Sequence, residues 1–146
     1  MKCVLQRVNN AKVDVDGKTV GSIDKGLLIF LGISKGYNEA KLDWMVNKIL
    51  KLRLWGSSQK GFDNSVTDIS GEILVVSQFT LYADCSKGTK PSFEKSMEAR
   101  RARDVYDLFI EKLKEKSELK IEQGNFGATM KVSLENDGPV TIILEK

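Results

Sequence analysis

Apolar and polar positions alternate through both ends of the chain, and two stripes at helical spacing interrupt that alternation. Residues 2–8 put Cys3, Leu5 and Arg7 on one face and Val4, Gln6 and Val8 on the other, a period of two that predicts a strand. Val13 and Val15 resume the pattern after a short break. Asp16-Gly17 then fits a two-residue turn into Thr19–Ile23, because this pair suits positive φ. Leu27 to Ile33 is almost wholly apolar, which predicts a central strand covered on both faces. Beyond Gly36, Asn38 stands where a cap belongs for a helix over about 39–52, with Leu42, Met45, Val46, Ile49 and Leu50 as its buried stripe.

The second half has no internal repeat of the first. A loop is expected over 56–61, a short segment from Phe62 to Val66, and a turn at Ser70-Gly71. Ile73 to Val76 begins a second central strand that runs into polar Ser77 and Gln78, then Phe79, Thr80 and Leu81. Hydroxyl and amide groups at the end of a buried strand are either satisfied by neighbouring backbone or aimed into a pocket, and both readings stand at this point. After a glycine-containing loop with Lys87 and Lys90, Ser92 is expected to cap a helix reaching about Glu115, striped by Ala102, Val105, Tyr106, Phe109 and Leu113. A strand over Leu119–Gln123, a turn at Gly124–Gly127 and a half-buried strand through Met130, Val132 and Leu134 follow. Asn136-Asp137-Gly138-Pro139 then reads as a tight hairpin turn before the final strand, Val140–Leu144. The fold class expected is α+β: mostly antiparallel sheets forming a sandwich or barrel-like core, with two main helices packed on it.

Length and composition narrow the function classes. A chain of 146 residues, 41% hydrophobic and 29% charged, suits one domain over 1–146. It has no apolar run long enough to span a bilayer, and its start enters a strand pattern at once, so a cytoplasmic protein with no membrane partner is expected. Cys3 and Cys85 lie far apart without a CxxC motif and read as reduced thiols. Histidine is absent, which removes a Ser-His-Asp triad, a Cys-His dyad and a histidine-ligated metal, so no metal is expected. The net charge of +3 tolerates a phosphate backbone without amounting to a dense cationic face. Arg100, Arg101 and Arg103 read either as a solvated helix face or as contacts to RNA phosphates.

Two motifs carry a resemblance. Ser77-Gln78-Phe79-Thr80-Leu81 and Asn136-Asp137-Gly138-Pro139-Val140-Thr141, with Leu5-Gln6-Arg7-Val8 and Pro91-Ser92-Phe93, resemble the D-aminoacyl-tRNA deacylase family over essentially the full length. The resemblance implies a cofactor-free cytoplasmic homodimer that cleaves the ester between a D-amino acid and the 3'-terminal adenosine of tRNA, with no DNA partner. It also implies release of glycine mischarged on tRNA(Ala).

By the same resemblance, Gly138 and Pro139 are the selectivity element. The resemblance implies that their bond is cis and that the loop reaches into the partner subunit's active site, where backbone carbonyls would crowd any L side chain. The resemblance also implies that Ser77, Gln78, Phe79 and Thr80 line the catalytic pocket, where backbone N–H groups could stabilise the ester oxyanion. Phe126 and Met130 resemble residues flanking the adenine and substrate, and Arg7 resembles one that buttresses the Gly-Pro loop. Without histidine, nothing evident activates the Thr80 hydroxyl, so water attack assisted by the substrate's own 2'-hydroxyl is expected. Two departures, Lys90 where the family often has Arg and Thr129 where it often has Asp, bear on fine substrate positioning. The rival readings are an editing deacylase for a small L-aminoacyl-tRNA and a non-catalytic tRNA-binding module.

Overall fold

The computed structural model describes residues 1–56 and 61–146, so the loop expected over 56–61 lies largely outside the described residues. Three strands open the fold: β1 (Lys2–Val15), β2 (Lys18–Ile23) and β3 (Gly26–Gly32). The β1–β2 turn has Asp16 and Gly17 at φ 49° and 77°, as Asp-Gly predicts. Helix α1 (Glu39–Lys51) is capped by Asn38, whose Oδ1 accepts from the Lys41 N–H at 3.0 Å, and it buries the five stripe residues expected. A small ribbon of β4 (Arg53–Trp55) and β5 (Asn64–Ser65) precedes β6 (Glu72–Ser77), a 3-10 turn over Phe79–Tyr82, helix α2 (Ala99–Glu115), β7 (Ile121–Gln123) and β8 (Lys131–Glu145).

The main sheet runs β2-β1-β3-β6-β7, with β8 on the other edge of β1. Every ladder of β1 is antiparallel, whereas β3–β6 and β6–β7 are parallel. Parallel neighbours need a crossover, and α1 and α2 supply one each. The sheet is therefore mixed. Its curl brings β2 back to β7, close enough that a Cβ on Gly21 would stand 2.7 Å from the Gln123 carbonyl oxygen, so the core is barrel-like and nearly closed.

Strand periodicity divides the interior into two clusters. Leu27, Ile29, Leu31, Ile73 and Val75 face the helices, while Leu28, Leu74 and Val76 face inside the curl with Val8, Ala11, Val13 and Ile23. Cys3 and Leu5 of β1 belong to the first cluster and Ala11 and Val13 to the second, although all four are odd-numbered. The register shift between Val8 and Asn10 explains this, since one extra residue sends all later side chains to the other face. What looked like a break between two strands is thus a bulge inside one.

Two further expectations change. Asn136–Thr141 is not a hairpin turn: residues 131–136 and 141–145 both pair with β1 in the same antiparallel sense, Asn136 opposite Val8 and Thr141 opposite Gln6. The chain does not reverse; residues 137–140 are extruded from one long strand. Nor does Ser92 cap the second helix. It forms a bridge with Asp84, and α2 begins at Ala99, where the Glu98 carboxylate accepts from the N–H groups of Arg100 and Arg101. Those bonds hold the Glu98 carboxyl below its ordinary pKa.

Candidate active site

The parallel strands β3, β6 and β7 all end at the same side of the sheet, and a cavity of about 520 Å³ opens there beside the first turn of α2. Leu31 and Ile33 continue β3 into its wall, Val76, Ser77, Gln78 and Phe79 come from β6 and the 3-10 turn, and Met97, Ala99 and Ala102 come from the entry to α2. Phe126, Gly127, Ala128, Met130 and Val132 close the far side. Ala99 and Ala102 are one helical turn apart, and their small side chains leave the space the cavity occupies. Among the described residues, no lining residue has an ionisable side chain.

Local bonding fixes the polar rim. The Gln78 N–H donates to the Leu31 carbonyl at 2.8 Å, which ties the strand end to β3. Its side-chain amide donates to the Thr80 hydroxyl. Ser96 Oγ donates to the Phe79 carbonyl at 3.0 Å, and the Phe79 and Phe93 rings meet edge to face at 5.0 Å. Phe79 and Thr80 open a short 3-10 turn, so their N–H groups have no acceptor inside it. The flanking loop is tied by Asp84, whose carboxylate takes the Ser86 N–H and the Lys95 ammonium; with the Ser86 hydroxyl the largest cause, these hold its pKa down to about 2.

The extruded loop is a separate construction. Asn136 closes its neck, with Oδ1 accepting from the Val140 N–H at 2.9 Å. Arg7, its side chain only 12% exposed, donates from Nε to the Asp137 carbonyl at 3.1 Å, pairs with the Asp137 carboxylate at 3.0 Å and donates from Nη1 to the Leu54 carbonyl. Gly138 has φ +126° and is joined to Pro139 by a cis peptide bond. Both residues are exposed, at the tip of a loop whose base is held from inside the protein.

Five of the residues singled out by sequence, Ser77, Gln78, Phe79, Phe126 and Met130, therefore line one cavity. Thr80 stands just outside its lining, and Arg7, Gly138 and Pro139 form the loop group elsewhere. Arg7 pairs with Leu27 and Ser77 with Leu31, four positions along β3, so the two groups lie about 13 Å apart along the strand. Lys90 and Thr129, the two departures, are exposed and outside the lining. Sequence reasoning missed the helix-side wall. Its signal was present in Ala99 and Ala102, small residues at helical spacing, but was obscured by placing the helix cap six residues earlier, at Ser92 rather than Glu98.

Residues 4–145 match the family described as D-Tyr-tRNA(Tyr) deacylase. The chain is 54% identical over 145 residues to the D-aminoacyl-tRNA deacylase of Aquifex aeolicus, covering 99% of this chain and 97% of that protein. It is 49% identical, with the same coverage, to the D-aminoacyl-tRNA deacylase of Thermosipho melanesiensis. Among solved structures, one titled c-Myc DNA Unwinding Element Binding Protein superposes with a TM-score of 0.95 at 44% identity, covering 100% of this chain and 99% of that one.

Proposed function

The chain belongs to the D-Tyr-tRNA(Tyr) deacylase family, and we propose that its neutral cavity binds the aminoacylated 3'-terminal adenosine of tRNA, with ester hydrolysis assisted by the substrate's own 2'-hydroxyl. The protein is a D-aminoacyl-tRNA deacylase, a carboxylic ester hydrolase. In this reading Ser77, Gln78, Phe79 and Thr80 form the catalytic edge, Phe126 and Met130 flank the adenosine, and the N–H groups of Phe79 and Thr80 face the developing oxyanion. Gly138 and Pro139 of a second copy present backbone to the substrate's Cα, rejecting L side chains by contact and admitting glycine, which has none. The enzyme works as a cytoplasmic homodimer without a cofactor.

The observation that carries the mechanism is the lining: no described residue of the cavity can take up a proton near neutral pH. A vicinal 2'-hydroxyl beside the ester supplies an internal proton relay at high effective concentration, and the protein contributes position and dipoles. The test compares hydrolysis of D-Tyr-tRNA, Gly-tRNA and L-Ala-tRNA. Turnover of the first two and none of the third is expected; turnover of L-Ala-tRNA overturns the assigned selectivity. A terminal 2'-deoxyadenosine substrate should lose at least about a hundredfold in rate, the scale of a lost proton-transfer group, while Thr80→Ala keeps most activity. The reverse pattern makes Thr80 the chemical group.

A further inference from the structure

Phe126 sits in a short turn that its own backbone barely secures. Ala128 N–H donates to the Asn125 carbonyl at 3.2 Å, Gly127 is left-handed at φ +80°, and the Phe126 side chain is half-buried. The turn leans instead on α2. The Tyr106 ring packs on Phe126 with centroids 5.6 Å apart, and the Tyr106 hydroxyl donates to Val75 at 2.8 Å and Gly124 at 3.4 Å, fastening β7 to β6 beneath the cavity. One helical turn earlier, Arg103 Nη2 donates to the Phe126 carbonyl at 3.1 Å while its guanidinium lies 5.2 Å from the centre of the Phe126 ring. Among the described residues Arg103 has no carboxylate partner. An exposed arginine that spends a donor and its charge on one aromatic residue fixes both the carbonyl and the ring of that residue.

We propose that Arg103 is a positioning residue of the deacylase: it holds the Phe126 wall in the pose that receives the terminal adenosine, and does not touch the reacting ester. The proposal rests on the reading of the cavity as the aminoacyl-adenosine site. It separates Arg103 from Arg100 and Arg101, which precede it on the helix and, among the described residues, make no hydrogen bond or cation–π contact to Phe126.

The test uses full-length protein and two substrates, D-Tyr-tRNA and the small ester D-tyrosyl-adenosine, which has no phosphate. Arg103→Met should raise KM about tenfold on both, the loss expected for one hydrogen bond with a cation–π contact, and leave kcat within about twofold. Arg103→Lys, which keeps a charge and a donor, should recover most of the loss, and Arg103→Gln, a donor without charge, should fall between. In a Phe126→Ala background, Arg103→Met should add nothing further. A loss confined to D-Tyr-tRNA that persists without Phe126 overturns the proposal in favour of a phosphate contact. An unchanged KM in Arg103→Met, with Phe126→Ala defective, overturns it and leaves the cavity reading intact. An unchanged KM on both substrates in Phe126→Ala overturns the cavity reading and the proposal together.

Discussion

A single side chain, Arg7, connects the body of the protein to the Gly138-Pro139 tip. Its guanidinium bonds Asp137 twice and Leu54 once from a largely buried position, so its loss strands two carbonyls and a carboxylate. Arg7→Met should cost about 2 kcal/mol on the scale of charge-assisted bonds and lower the melting temperature. Hydrolysis of Gly-tRNA should survive better than discrimination against L-aminoacyl-tRNA, because glycine needs no rejection. A variant as stable and as selective as the parent would sink the buttress role. Gly138→Ala meets the same assembly from the other side: its Cβ would stand 2.8 Å from Arg7 Nη2 and 2.9 Å from Val140 Cγ2 at a φ of +126°. The tip must shift, and if it is the selectivity element, discrimination against L-aminoacyl-tRNA falls with it. Arg7 was legible by resemblance alone, since its partners lie 47 and 130 positions away and leave no local mark in sequence.

Elements show a sharper division between what sequence discloses and what it hides. The strands of alternating residues, the doubly covered β3 and β6, and the Asn38 cap of α1 were all legible, because each depends on period or on neighbours within a turn. The start of α2 was not: Pro91-Ser92 has the chemistry of a helix entry, but Ser92 is engaged by Asp84, and the following residues run along the end of β3, where Met97 N–H donates to Ile33. Likewise Asn136–Pro139 has turn chemistry, yet both its flanks find β1, whose pairing no local pattern reveals. The loop ahead of α2 yields a pH prediction. Asp84 is held down to about 2 in the fold, below its unfolded value of about 3.9. Its bonds therefore contribute in full above about pH 4 and are lost as pH falls through about 2. A carboxyl-detected NMR titration should give that midpoint, and Ser86→Ala should raise it; an Asp84 midpoint near 4 in the parent protein would contradict the arrangement.

For the whole molecule, the separation of tip from cavity within one chain is the decisive geometry. If each site takes its tip from the other copy of a twofold dimer, a tip-defective variant mixed with a cavity-defective one regains activity, because every mixed dimer holds one intact cavity facing one intact tip. Random reassortment of equal amounts should restore about a quarter of parental activity, since half the dimers are mixed and each has one working site. No gain after refolding together, or full activity of a monomer in sedimentation, would refute the arrangement. The expectation of a twofold dimer comes from family resemblance alone, as no pattern along one chain marks a surface for a second copy. The neutral lining of the cavity has a pharmacological consequence. With no acid, base or thiol among the described residues of the lining, reagents aimed at such side chains will find no target among them. If the cavity is the aminoacyl-adenosine site, an inhibitor has to succeed by shape, as a non-hydrolysable mimic of a D-aminoacyl adenosine.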